Sequence, residues 1–67
     1  MLAIERKNQI LEKLHQEGKV VVSDLSRLYQ VTEETIRRDL EKLENEGLAK
    51  KTYGGAILNQ SLNTDVP

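Results

Sequence analysis

A two-residue connection, Gln30 and Val31, between two helical patterns constrains the fold more than any other feature of this sequence. Before the connection, Leu25 and Leu28 have the three-residue spacing of one helix face. After it, Thr32 is a suitable N-cap for another helix. Because the connection is so short, the two helices must be neighbours that cross at an angle.

The helix after this connection is predicted over residues 33–46. Ile36, Leu40 and Leu43 lie at i, i+4 and i+7 and form one apolar stripe. Two glutamates occupy its first turn, where they favour the positive end of the helix dipole. Gly47 follows as the stop signal, because glycine adopts the left-handed conformation at helix ends without penalty.

Another amphipathic helix is predicted at the start of the chain, over residues 2–17, with Gly18 as its stop. Acidic and basic residues fill the positions between its apolar residues and suit the solvent side. The apolar side is formed by Ile4, Ile10, Leu11 and Leu14.

The remaining segments predict short strands. Residues 19–22 include three consecutive valines and indicate a brief strand. Ser23 and Asp24 can then cap the middle helix, although a start one or two residues earlier stays open. Residues 48–52 and 56–58 are strand patterns separated by a turn with adjacent glycines, which is typical of a hairpin.

This order of elements predicts an α+β, mostly α, fold: a winged helix-turn-helix with three helices plus a small β-hairpin wing. A chain of 67 residues fits one domain, which we expect to span residues 1–58. Residues 59–67 are polar apart from Leu62 and Val66, and we interpret them as a linker.

Composition narrows the chemistry of this domain. The chain has no Cys, Phe or Trp, so its core must be built from Leu, Ile and Val without disulfides or thiolate metal sites. His15 follows Glu12 by three residues, but a lone histidine is more typical of a helix surface than of a metal site. We therefore expect no metal and no cofactor.

The sequence has no apolar run long enough for a membrane span or signal peptide, so we expect no membrane partner and a cytoplasmic location.

The outward face of the third helix is the best candidate for a binding surface. At about 100° per residue from Ile36, Arg38 points about 200° away, and Thr35 and Arg37 lie on opposite flanks. A recognition helix presents such groups to base edges in the major groove. The formal net charge of −1 opposes nucleic-acid binding, yet contact depends on where the basic groups lie.

The two arginines also have a plain structural interpretation. They could form a solvated helix face, or pair with carboxylates of the same helix at Glu33, Glu34 or Glu41. Glu34 either stabilises the helix start or accepts a hydrogen bond from a cytosine amino group.

Other polar residues also have either a structural or a DNA-binding interpretation. Asp39 is interpreted as a structural partner of Arg6 or Arg37, because its charge would repel phosphate. Lys50 and Lys51 either keep an edge strand soluble or bind phosphate from the wing. Tyr53 either packs in the turn or donates a hydrogen bond to phosphate.

Taken together, these residues resemble the N-terminal domain of the DeoR family of bacterial sugar-metabolism repressors. The match covers residues 4–58, nearly the whole chain, and its combined spacing is specific. The residues that carry it are Arg6, Ile10, Leu14, Thr32, Thr35, Ile36, Arg37, Arg38, Asp39, Leu40, Leu43, Gly47, Leu48, Gly54, Gly55 and Ala56.

The resemblance implies a function and partners that spacing alone does not show. Family members are winged-helix repressors that bind double-stranded operator DNA as oligomers. They normally carry a larger C-terminal domain that senses a phosphorylated sugar, and the resemblance implies that residues 59–67 lead toward such a domain. With the resemblance, the predicted DNA-binding residues are Thr32, Glu34, Thr35, Arg37, Arg38, Lys42, Lys50, Lys51, Tyr53 and Gly54.

Two positions depart from the family pattern. The family often has glycine where this chain has Gln30, and a left-handed backbone there would cost about 1 kcal/mol. The family wing often reads Arg-Val-His-Gly-Gly, whereas residues 51–55 read Lys-Thr-Tyr-Gly-Gly. Lysine keeps the charge for a phosphate contact but lacks the bidentate fork of arginine.

A protein–protein interaction module is the main alternative, because winged helices also serve as adaptors. An adaptor would favour apolar residues on the outward face of the third helix, where this chain has Thr35, Arg37 and Arg38. Catalysis is not expected, because the sequence has no Ser/His/Asp or Cys/His arrangement and no phosphate-binding glycine loop before a helix.

Overall fold

The computed structural model describes residues 1–59 and shows the predicted, mostly helical α+β architecture. Residues 60–67, most of the predicted linker, lie outside the described residues. The elements in chain order are α1 (Ala3–Glu17), β1 (Lys19–Val21), α2 (Val22–Tyr29), α3 (Glu33–Asn45), β2 (Ala49–Thr52) and β3 (Gly55–Leu58). No helix within residues 1–59 combines the length and apolar character needed to cross a membrane.

Local capping signals set the ends of α1 and α3 close to where the sequence predicts them. α1 ends at Gly18, which is left-handed with φ of 84° and donates its N–H to Leu14 O at 2.8 Å. α3 begins after Thr32, whose hydroxyl accepts the Thr35 N–H at 3.2 Å. Gly47 follows the last turn of α3 with φ of 78°, as expected for a helix stop.

The prediction that Ser23 and Asp24 cap α2 is wrong, whereas the start of the helix falls in the range of one or two residues before Ser23 that the sequence left open. The helix begins at Val22, one residue earlier, and no side chain caps it. Instead, the Val22 N–H donates to Gly54 O in the hairpin turn at 2.8 Å. A residue distant in sequence thus satisfies a free N–H at the helix start, where a polar cap would otherwise act.

Three antiparallel strands form one sheet in the order β1-β3-β2, so the wing is larger than the predicted hairpin. In the register between β1 and β3, Val20 pairs with Ala56 and Val21 pairs with Gly55. A Cβ atom at Gly55 would lie 2.0 Å from Val20 O, so only glycine fits where the β3 backbone lies this close to β1.

The core lies between the helices and the inner face of the sheet. Ile4 and Leu28, which spacing assigned to apolar helix faces, are instead 54% and 56% exposed, so this part of the prediction is wrong. In α2 the inward position falls on Tyr29, which packs against the core. In α1 the inward position one turn before Ile10 is occupied by the half-buried Arg6. The core residues are Ile10, Leu14, Val20, Val22, Leu25, Ile36, Leu40, Leu43, Ala49 and Ala56.

A buried ion pair joins α1 to α3. Arg6 donates from Nε and Nη2 to the two carboxylate oxygens of Asp39, the second at 3.3 Å, although the residues are 33 positions apart. Asp39 is 2% exposed, and its hydrogen bond raises the pKa of Arg6. The prediction that Asp39 is a structural partner of Arg6 is confirmed.

Candidate nucleic-acid interface

The turn between α2 and α3 fixes how the second of these helices is presented. Gln30 adopts the left-handed conformation, with φ of 57° and ψ of 46°, and within residues 1–59 it is the only non-glycine residue with positive φ. The Val31 N–H donates to Ser26 O at 3.1 Å, and the Ser26 hydroxyl donates to Val31 O at 2.5 Å. Ser26 therefore closes the turn with two hydrogen bonds, one accepted by its carbonyl and one donated by its hydroxyl.

Arg37 and Arg38 lie on the solvent side of α3. Their side chains are 57% and 72% exposed, while Ile36 and Leu40 on the opposite side are almost fully buried. The structure therefore places both guanidinium groups where a partner can reach them, on a helix whose other side is anchored in the core.

Each of these arginines also contacts a glutamate one turn earlier. Arg37 Nη2 donates to Glu33 Oε1 at 3.1 Å, and Arg38 Nη2 lies 3.8 Å from Glu34 Oε2. Exposed i, i+4 pairs of this type are weak, because water and salt screen them. The contacts orient the guanidinium groups without removing them from the surface.

Three other predicted residues lie on or next to α3: the N-cap Thr32, and Thr35 and Lys42 within the helix. The hydroxyls of Thr32 and Thr35 are 2.9 Å apart at the N-terminus of the helix. Lys42 is exposed, and its seven-residue separation from Thr35 places the two on the same flank. This flank faces α1, where Lys42 lines a shallow depression with Ile4 and Lys7.

Lys51 lies on the α3 side of the sheet. Its N–H donates to Glu44 Oε2 at 3.2 Å, and it pairs in register with the buried Ala56. Glu44 follows Arg37 by two helical turns, about 10 Å along the axis, on the same flank of α3. The structure therefore brings Lys51 and Arg37 to the same side of the molecule.

Lys50 lies on the opposite face of the sheet. It pairs with Ile57, which also pairs with Lys19, so these three side chains form one row on the outer face. Strand alternation separates Lys50 from Lys51, and the structure does not bring Lys50 together with the arginines.

The turn of the wing carries the last two predicted residues. Tyr53 is fully exposed and Gly54 is left-handed, with φ of 85°. The carbonyl of Gly54 is already used by the Val22 N–H, which ties the turn to the start of α2. The Tyr53 hydroxyl therefore extends from a turn that is held against the helices.

Sequence reasoning missed two residues of this region, Glu44 and Lys19. The i, i+4, i+7 pattern shows that Glu44 points away from the core, but its contact with β2 depends on the fold. Lys19 joins the outer row because β1 pairs with β3, for which no local sequence signal exists. Within residues 1–59 no group of three His, Cys, Asp or Glu side chains is placed to hold a metal ion.

Comparison with known proteins identifies a family for this architecture. The DeoR-like helix-turn-helix domain matches residues 6–62, which include α1 from Arg6 onward, α2, α3 and the three strands. No solved structure matches the chain.

Three curated relatives are similar along most of this chain. It is 46% identical over 61 residues to the HTH-type transcriptional regulator GolR of Listeria innocua, covering 91% of this chain and 24% of that protein. It is 45% identical over 56 residues to the L-fucose operon activator of Haemophilus influenzae, covering 84% and 22%. It is 38% identical over 65 residues to the glycerol-3-phosphate regulon repressor of Escherichia coli, covering 96% and 26%.

The chain spans about a quarter of the length of these relatives. The similarity thus concerns their helix-turn-helix part, which is the part whose geometry is described above. Since the family match covers most of the chain and agrees with the fold, this chain belongs to the family of DeoR-like helix-turn-helix domains.

Proposed function

We propose that this chain binds operator DNA with α3 in the major groove, as part of a larger regulator of carbohydrate-related genes. The observation that most supports the proposal is the exposure of Arg37 and Arg38 on a helix anchored in the core by its other side. The major groove is about 12 Å wide and admits one α-helix. A helix of 13 residues, about 20 Å long, can lie in it and present its first turns to base edges.

Arg38 and Arg37 have different roles in this proposal. Arg38 points furthest from the core, so it donates two hydrogen bonds to a guanine. Arg37 lies on the flank that faces the wing, where it contacts the DNA backbone together with Lys51. Thr32, Thr35 and Lys42 contact the strand on the α1 side of the groove.

The wing supplies sequence-independent contacts. Lys51 and the Tyr53 hydroxyl bind phosphates, and the open turn at Gly54 lets the backbone approach closely. Phosphate contacts of this kind fix the position of a protein on DNA, while base contacts select the sequence.

Names of the relatives support the carbohydrate part of the proposal. One is an L-fucose operon activator and another a glycerol-3-phosphate regulon repressor, so regulation of either sign is compatible with this domain. In the full-length protein we expect a phosphorylated sugar effector on a separate domain and operator binding as a homo-oligomer. Half-sites would then lie about one helical turn apart, or a multiple of it.

The first residue of the proposed linker is held by the domain. Asn59, which we assigned to the linker, donates from Nδ2 to Gly47 O at 3.0 Å and from its backbone to Leu48 O. Its position is therefore fixed by the domain, and a connection toward an effector domain would start at residue 60.

Selection from a random duplex library tests the proposal. The chain is incubated with duplexes that contain a randomised segment, bound DNA is sequenced, and affinity is measured by fluorescence anisotropy across salt concentrations. We expect one motif to be enriched and binding to weaken steeply with salt. If no motif is enriched and the chain does not bind duplex DNA at low salt, a protein–protein interaction module becomes the better interpretation.

A further inference from the structure

Both cationic groups at the start of α3 are already in contact with a carboxylate. Glu33 is hydrogen bonded to Arg37 at 3.1 Å, and Glu34 lies 3.8 Å from Arg38. All four side chains are about half exposed or more, so neither pair is needed to fill the core. The pairs nevertheless lie on the outer face of α3, which we propose is directed to DNA.

The exposed surface of α3 is acidic rather than basic. It carries four glutamates against three cations, a balance of −1 on the helix that is proposed to enter the groove. The glutamates are Glu33, Glu34, Glu41 and Glu44, and the cations are Arg37, Arg38 and Lys42.

This balance affects random and specific DNA differently. When Arg37 moves onto a phosphate, Glu33 loses its partner and remains close to the polyanion, so the contact gains little. Sequence-independent binding consists almost entirely of such phosphate contacts. A correct base, by contrast, offers Arg38 two directed hydrogen bonds that exceed the weak contact with Glu34.

We propose that Glu33 and Glu34 are specificity-determining residues, because their pairs with Arg37 and Arg38 disfavour binding to random DNA more than binding to the operator. The inference rests on the proposed function of α3. Because Arg37 is proposed to contact phosphate on either duplex, whereas Arg38 contacts a base only on the operator, Glu34 is the stronger of the two determinants. Neither glutamate contacts a base.

The experiment compares three forms of the chain on two duplexes. They are the single variants Glu33→Gln and Glu34→Gln and, as a charge-matched control, Glu17→Gln on α1, each measured against the unaltered chain. Glu17 is exposed and lies beside the Lys19–Ile57 end of the sheet, away from the wing turn. Anisotropy titrations use the duplex obtained by selection and a duplex of random sequence, at several salt concentrations, and circular dichroism checks that the helices are retained.

Each glutamine on α3 is expected to tighten binding to random DNA by roughly two- to fivefold, the range typical of exposed ion pairs. The gain for the selected duplex is expected to be smaller, so the affinity ratio between the two duplexes falls. The salt slope for random DNA should become steeper, because the released arginines then neutralise phosphates fully. Glu17→Gln should change each affinity by less than twofold.

Four results would overturn the inference. If Glu17→Gln tightened binding to random DNA as much as the α3 variants do, net charge alone would explain the gain in affinity. Equal gains on both duplexes would show that the glutamates do not affect specificity. If Glu34→Gln removed the preference for one base pair of the selected duplex, Glu34 would instead accept a hydrogen bond from a cytosine amino group. If selection enriches no motif, the proposed function fails separately, and unchanged binding to random DNA would still overturn the role of the glutamates.

Discussion

Arginine–carboxylate pairs occur in two very different regions of this domain. Arg6 and Asp39 lie between α1 and α3, where Asp39 is 2% exposed and accepts two hydrogen bonds. Arg37 and Arg38 pair with glutamates on the open face of the same helix α3. The same chemistry therefore fixes the helix on one side and leaves it available for a partner on the other, because burial determines what breaking a pair costs.

The largest effect expected from this comparison is the loss of stability on removing the buried carboxylate. Asp39→Ala leaves the side chain of Arg6, which is only 12% exposed, without a partner. The free energy of unfolding should therefore fall by about 3–5 kcal/mol in urea titrations. Arg37→Ala, the exposed counterpart, should change it by less than about 0.5 kcal/mol. Similar losses for the two variants would remove the distinction between the regions.

The next effect concerns binding and not stability. Arg38→Ala should weaken affinity for the selected duplex by about 1–3 kcal/mol in gel-shift titrations and relax the preference at one base pair. Arg27→Ala is the matched control, since Arg27 is exposed on α2 and lies 3.4 Å from Asp24. Unchanged binding by the Arg38 variant would refute its assignment as the residue that reads a base.

The turn between α2 and α3 allows a smaller, stabilising change. Gln30→Gly should raise the free energy of unfolding by about 1 kcal/mol, because glycine adopts the observed φ of 57° without strain. Gln9→Gly, at an exposed position in the middle of α1, should lower it by about the same amount. A destabilising Gln30→Gly would indicate that the side chain contributes more than the backbone strain costs.

The smallest expected effect separates two adjacent lysines by the face of the sheet on which they lie. Lys51→Ala should reduce the log–log salt dependence of DNA binding by roughly 0.9, the value for one phosphate contact, whereas Lys50→Ala should leave it nearly unchanged. Anisotropy at four or more salt concentrations measures both slopes. An equal reduction by both substitutions would show that the outer face of the sheet also contacts DNA.

Much of the candidate site follows from local patterns. The spacing of Ile36, Leu40 and Leu43 is enough to place Arg37 and Arg38 on the outer face of a helix. The cap at Thr32 needs only the chain around it, so the start of that helix is predictable as well. The same reasoning fails for Lys50 and Lys51, because a strand of four residues with one buried apolar side chain has too weak an alternation to show which face is inward.

The sequence by itself determined the three helices, the turn between the last two, and the charged outer face of α3, because each depends on hydrogen bonds and periodicity within a few residues. Only the tertiary structure decided that β1 joins the hairpin, that the Val22 N–H is satisfied by Gly54, and that Arg6 reaches Asp39. These contacts join residues more than 30 positions apart. Their formation depends on how the packed helices and strands fit together, and no local pattern records that fit.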